Sequence, residues 1–142
     1  MMNSFSWDVE GNAELPSLDF SLIAAWLSKV AASRNFLIGE LNYIFCDDET
    51  IIRVNREFLD HDYFTDIITF DRTTRSMVRG DIYISLDTVR TNAFQLSVPY
   101  GTELLRVIAH GLLHLCGIDD KGPGEREVME RYENEALKML AK

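Results

Sequence analysis

The 142-residue chain has only two cysteines, Cys46 and Cys116, too few and too isolated for a disulfide framework or a paired-cysteine metal site. Their scarcity fits a reducing, cytoplasmic setting. No apolar run approaches membrane-spanning length, so no membrane partner is expected. The opening Met1-Met2-Asn3-Ser4-Phe5-Ser6-Trp7-Asp8 has no basic segment followed by an apolar core, and no secretory signal is expected either. Basic residues are also scarce: 14 Lys and Arg face 23 Asp and Glu, a formal charge of −9. That balance argues against broad binding along a nucleic-acid backbone, so any such partner must be engaged locally. Three prolines and eight glycines leave nothing that reads as a linker, and there is no internal repeat. With 46% apolar residues the chain suits one domain, 1–142, with a real core.

The apolar periodicity supplies the elements. Phe5, Trp7 and Val9 alternate with polar residues as a short half-buried strand. Pro16 and Ser17 open a helix whose stripe of Leu18, Leu22, Ile23, Trp26, Leu27 and Val30 should pack on a sheet, which makes Trp26 core. Within 36–46 lies a strand whose end is apolar on both faces, as expected of an inner strand. Asp47 or Asp48 caps a helix ending near Leu59. A polar loop then feeds a strand from Ile67 to Asp71, residues 72–79 read as a basic loop, and 80–86 form another strand. Asp87 caps a helix to about Leu96, Thr102 caps one through residue 116, and residues 125–141 form a charged closing helix. The expected fold is α+β, a roughly four-stranded mixed sheet packed with helices, with the helix over 102–116 central.

What is present in place of cysteine is a histidine pair. Of only three histidines, two stand at His110 and His114, one helical turn apart on the same face. Gly117 takes a positive φ at little steric cost, so the helix can end there and the chain fold back to bring Asp120 to the same point. His-x3-His-x5-Asp is the metzincin metal spacing, with Gly111 standing where a protease has its Glu. His110, His114 and Asp120 are therefore the expected metal ligands, and they leave a position open, as in a catalytic zinc site. Cys116 points about 200° around the helix from His114 and reads as core. Asp119 has two readings, a partner for a histidine N–H or a plain turn acid. An open metal that activates bound water and polarises a phosphoryl or carbonyl oxygen makes metal-assisted hydrolysis the default chemistry. Arg72, Arg75 and Arg79 are either a local phosphate site or a solvated loop.

The stretch His110-Gly111-Leu112-Leu113-His114-Leu115-Cys116-Gly117-Ile118-Asp119-Asp120, with Asp62-Tyr63-Phe64-Thr65-Asp66-Ile67-Ile68-Thr69-Phe70 and Gly80-Asp81-Ile82, resembles the YbeY family. The family's signatures read H-G-x-L-H-L-x-G-Y-D-H, D-x-P-T-D/N-V-L-S-F and G-D-I, and all three occur here in order. The resemblance covers about Leu41 to Leu137. It implies a single zincin-like domain with its metal site at the end of a central helix, and a zinc-dependent, single-strand-specific endoribonuclease holding one Zn2+ per chain. It further implies action on single-stranded RNA at the 3′ end of small-subunit ribosomal RNA and in ribosome quality control. The family's third ligand is normally His where this chain has Asp120, and its proline is replaced by Phe64. Its arginine before the D-x-P-T-D segment is replaced by Leu59, which leaves Arg56 or His61 to take over. On this reading the metal-bound water acts through His110, His114 and Asp120, His61 is a further catalytic candidate, and His61, Arg56, Arg72, Arg75 and Arg79 hold the RNA. The base is either the metal-bound hydroxide or a ribose hydroxyl acting as nucleophile.

Three other classes share some of these features. A zincin-like metalloprotease fits the spacing but lacks a base at Gly111. A non-haem iron oxygenase fits the ligand types, though not their confinement to eleven residues. A ribosome-associated protein with a structural metal fits the acidic charge.

Overall fold

The computed structural model describes residues 4–60 and 65–140. In chain order the elements are β1 (Ser4–Val9), α1 (Phe20–Ser33), β2 (Leu37–Cys46), α2 (Asp48–Leu59), β3 (Ile67–Asp71), β4 (Met77–Ser85), α3 (Leu86–Leu96), α4 (Tyr100–Leu115) and α5 (Glu125–Leu140). The four strands lie in the order β1-β2-β4-β3. β1, β2 and β4 run parallel, and β3 pairs antiparallel with β4 at the edge. The mixed four-stranded α+β fold expected from the sequence is the one found, and the strand with two apolar faces, β2, is indeed internal.

α1 and α4 cover one face of the sheet. Their Trp26, Leu27, Val30, Leu104, Ile108 and Leu112 meet Leu41, Tyr43, Phe45, Ile82 and Ile84 in one buried cluster. Two side-chain hydrogen bonds tie this layer together: the Tyr43 hydroxyl donates to the Ile108 carbonyl at 2.7 Å, and Trp26 Nε1–H donates to the Ala136 carbonyl of α5 at 2.7 Å. α2 packs on the opposite face through Ile51 and Val54 against Cys46 and Ile68. α4 comes so close to the sheet that a Cβ built at Gly111 would stand 2.9 Å from Ile82 Cδ1 and 3.0 Å from Ile67 Cδ1. Only a hydrogen fits at that position.

Several boundaries differ from the sequence expectation. α1 is capped by Asp19, whose Oδ1 accepts from Leu22 N–H at 3.1 Å, and not opened by Ser17. α3 is capped by Ser85, which leaves Asp87 in the first turn with its Oδ2 free to accept from Asp48 N–H at 2.9 Å. α4 starts at Tyr100 behind Pro99, with Glu103 N–H donating to the Pro99 carbonyl and Thr102 already inside the first turn. A carboxylate or hydroxyl marks a helix start only to within a turn, because the tertiary partner decides which one caps. The basic loop is shorter than expected: β4 begins at Met77, since Thr74 and Met77 exchange main-chain hydrogen bonds around Arg75 at φ 55°. Exposed polar residues in that hairpin hid its pairing.

Candidate metal centre

α4 presents His110 and His114 side by side, their ring centroids 4.8 Å apart. The helix closes as expected. Gly117 takes φ 92°, Ile118 N–H reaches back to the Leu113 carbonyl at 3.1 Å, and buried Ile118 pins the turn to the core. The chain then returns Asp120 to the pair. His110 Nε2 lies 3.3 Å from Asp120 Oδ2 and His114 Nε2 3.4 Å from Oδ1. One donor atom from each of the three residues falls within 4.8 Å of the others.

The donor set fits a cation. Asp120 Oδ1 is buried without a hydrogen-bond partner among the described residues, a costly state for a carboxylate unless an ion completes it. Burial, with His110 beside it, pushes the His114 imidazole below the ordinary histidine range and keeps it in the neutral form that can ligate. Two imidazole nitrogens and a carboxylate oxygen are the hard-to-borderline donors that zinc and its neighbours accept, and these three leave a coordination position open. Cys116 stays out: it is buried, and burial pushes its thiol up to about 12.

The three donors sit in a cleft of about 530 Å³. Its walls are Asn55 and Leu59 of α2, residues 65–69 leading into β3, the polar face of α4, and Arg126, Met129, Glu130 and Glu133 of α5. Asp66 is half-buried there. Burial pushes its carboxyl up, the nearby His110 and Arg106 oppose that, and Asn92 Nδ2 donates to Oδ2 at 3.3 Å. Leu59, at the position where the family motif has arginine, does face this cleft. Gly111 does not; its missing side chain would point into the β3–β4 packing.

The proposed RNA-binding residues are placed elsewhere or lie outside the described region. His61 falls among residues outside the described ones, as does Phe64. Arg56, Arg72, Arg75 and Arg79 do not line the cleft. Arg72 forks onto Asp81, at 2.7 Å and 3.2 Å, with Glu40 at 3.9 Å. Arg75 sits at the tip of the β3–β4 hairpin. Among the described residues, the cations that do line the cleft are Arg106, Lys121 and Arg126. Arg106, four residues before His110, was visible as a same-face neighbour on the helix. Lys121 follows Asp120 directly, but Arg126 and Glu133 come to the site only through the docking of α5. Asp119 is exposed, and among the described residues it makes no hydrogen bond to either histidine. The partner of the His110 ring is Glu133 Oε2, 2.5 Å from Nδ1.

A sequence profile described as "Endoribonuclease YbeY" matches residues 10–141. Curated proteins named Endoribonuclease YbeY are similar along nearly the whole chain. The one from Bacteroides thetaiotaomicron is 54% identical over 134 residues, 94% of this chain and 97% of its own. That from Phocaeicola vulgatus is 52% identical over 136 residues, 96% and 98% of the two chains. That from Porphyromonas gingivalis is 48% identical over 139 residues, 98% and 91%. In fold, the chain is similar to the solution structure of a Thermotoga maritima protein, with a TM-score of 0.67 at 24% identity, covering 96% of this chain and 88% of that one.

Proposed function

The chain belongs to the YbeY endoribonuclease family, and on that premise we propose that residues 1–142 form a single metal-dependent hydrolase domain that cleaves single-stranded RNA. The observation that carries the proposal is the convergence of His110 Nε2, His114 Nε2 and an Asp120 carboxylate oxygen on one point of an open cleft. The ion we assign there is Zn2+, one per chain, because two imidazoles and one carboxylate form an open zinc set. Such an ion supplies Lewis acidity toward a phosphoryl oxygen and toward water. His110, His114 and Asp120 hold and orient it, while Lys121 and Arg126 at the cleft mouth hold flanking phosphates. Asp66, half-buried in the same cleft with Asn92 Nδ2 donating to it at 3.3 Å, is a further carboxylate that we assign to the substrate-facing wall. The substrate in this reading is ribosomal RNA during processing, its 3′ end on the small subunit, and the partner is the ribosome in the cytoplasm. Among the described residues no helix is long and apolar enough to cross a membrane.

The protease alternative loses support, because position 111 faces isoleucines and not the cleft. The test pairs metal analysis with cleavage of a single-stranded RNA, before and after chelation, for the wild type and His114→Ala. Near-stoichiometric zinc and cleavage in the wild type, both lost in a variant that still melts cooperatively, is the expected result. Cleavage unchanged by chelation or by the substitution would refute it.

A further inference from the structure

Glu133 lies on α5, 23 residues beyond His110, and is 2% exposed. Each of its carboxylate oxygens has one partner: Oε1 accepts from Arg106 Nη1 at 2.8 Å, and Oε2 stands 2.5 Å from His110 Nδ1. Arg106 in turn grips Glu103, 1% exposed, with Nε at 2.8 Å and Nη2 at 2.5 Å. Two buried carboxylates thus share one guanidinium, and the network ends on a histidine of the metal site.

We propose that Glu133 is a positioning residue for the metal centre, holding His110 in the tautomer whose Nδ1 carries the proton and whose Nε2 lone pair faces Asp120, with Arg106 holding its other carboxylate oxygen. The reasoning is one of donors and acceptors. An ionised carboxylate only accepts, so the ring nitrogen 2.5 Å from it must donate. A neutral imidazole that donates from Nδ1 has its lone pair on Nε2, the atom 3.3 Å from Asp120 Oδ2. Either tautomer sets one lone pair toward a carboxylate, but at Glu133 the distance would be 2.5 Å in a side chain 3% exposed, against 3.3 Å at Asp120, 23% exposed, so the closer, drier repulsion is the one avoided. Arg106 Nη1, 2.8 Å from Oε1, sets a permanent cation against the Glu133 carboxylate and favours its ionised form. α5 is anchored independently, through Met129 and Ala136 in the core and the Trp26 bond to the Ala136 carbonyl, so its packing delivers Glu133 to the ring without help from an ion.

This inference rests on the reading of His110, His114 and Asp120 as a metal site, and it is independent of RNA. The test uses the whole chain and no RNA. Long-range nitrogen–proton spectra of the metal-free protein, above the ordinary histidine titration range, report the His110 tautomer. Competition with a chelating dye reports zinc affinity. The wild type should show the proton at Nδ1. In Glu133→Gln, Arg106 keeps the amide oxygen, so the amide N–H2 is turned to His110. The ring should then shift toward the other tautomer, and zinc affinity should fall about 10- to 100-fold. Glu103→Gln removes the same unit of charge from the network without touching His110, and should keep both the tautomer and, within about twofold, the affinity. A wild-type proton at Nε2 overturns the proposal even where the variant does not fold. So does unchanged affinity in Glu133→Gln, or an equal loss in Glu103→Gln, which would reduce Glu133 to a structural counter-charge. A wild type that binds no metal would instead overturn the metal-site reading and this inference with it.

Discussion

Gly111→Ala tests the close seating of α4 on the sheet. In an open helix the substitution should stabilise, since removing glycine from a helix interior is worth about 0.5–1 kcal/mol. Here the new methyl would meet Ile82 Cδ1 at 2.9 Å, Ile67 Cδ1 at 3.0 Å and Ile82 Cγ2 at 3.0 Å. Carbon pairs are comfortable at about 3.5–4.0 Å, so α4 or the β3–β4 pair must yield by roughly half an ångström. Ile82 is 0% exposed and has nowhere to swing, which places the cost of overpacking at about 1–3 kcal/mol. The net expectation is a loss of about 1–2 kcal/mol. For a chain of this size that lowers the melting temperature by about 3–6 °C. The assay is thermal unfolding of the chelated protein followed by circular dichroism, so that metal affinity does not enter. A melting temperature equal to or above that of the wild type would refute the reasoning, because it would mean that the gap accepts a methyl group. Gly111→Glu, which restores the protease spacing, should fail to fold and gain no peptidase activity, since its carboxylate would be buried between isoleucines.

Ser97 caps α3 at φ 57°, with its N–H bonded to the Ala93 and Phe94 carbonyls, so Ser97→Gly relieves left-handed strain and should raise the melting temperature by about 2–3 °C. Arg72 hydrogen-bonds Asp81 and holds its carboxyl below the ordinary range. The stability this confers is present above the ordinary aspartate range and is lost as pH falls through the lowered value. Arg72→Met should therefore destabilise at neutral pH by less than about 1 kcal/mol, the pair being partly exposed, and the difference should vanish in acid denaturation curves. Lys121→Ala combined with Arg126→Ala should weaken single-stranded RNA binding and flatten its salt dependence by about 0.7 per lost phosphate contact, with metal content unchanged. An unaltered slope would remove both residues from the RNA path.

The three candidate metal ligands could be read before any fold was known because their convergence depends on local geometry alone. A helix puts residues four apart on one face, and a glycine at positive φ turns the chain back within a few residues, so His110, His114 and Asp120 meet whatever surrounds them. The strands were legible for a related reason: an inner strand such as β2 is apolar on both faces wherever it is placed. The helix starts were less so, since Ser17, Asp87 and Thr102 are good capping residues that tertiary contacts passed over for Asp19, Ser85 and Pro99.

What surrounds the ligands was decided only by packing. Glu133 shares the helical stripe of Met129 and Ala136, but nothing in that spacing names its partner; it reaches His110 because Trp26, Met129 and Ala136 seat that helix beside α4. The same docking brings Arg126 to the cleft, while the hairpin pairing of Thr74 with Met77 leaves Arg75 at its tip and Arg72 engaged by Asp81. Sequence by itself determined which segments are strands and helices and which three donors can meet, because periodicity, glycine freedom and i, i+4 spacing act over a few residues. Tertiary structure decided which charges face the cleft, because that choice belongs to contacts between residues far apart in the chain.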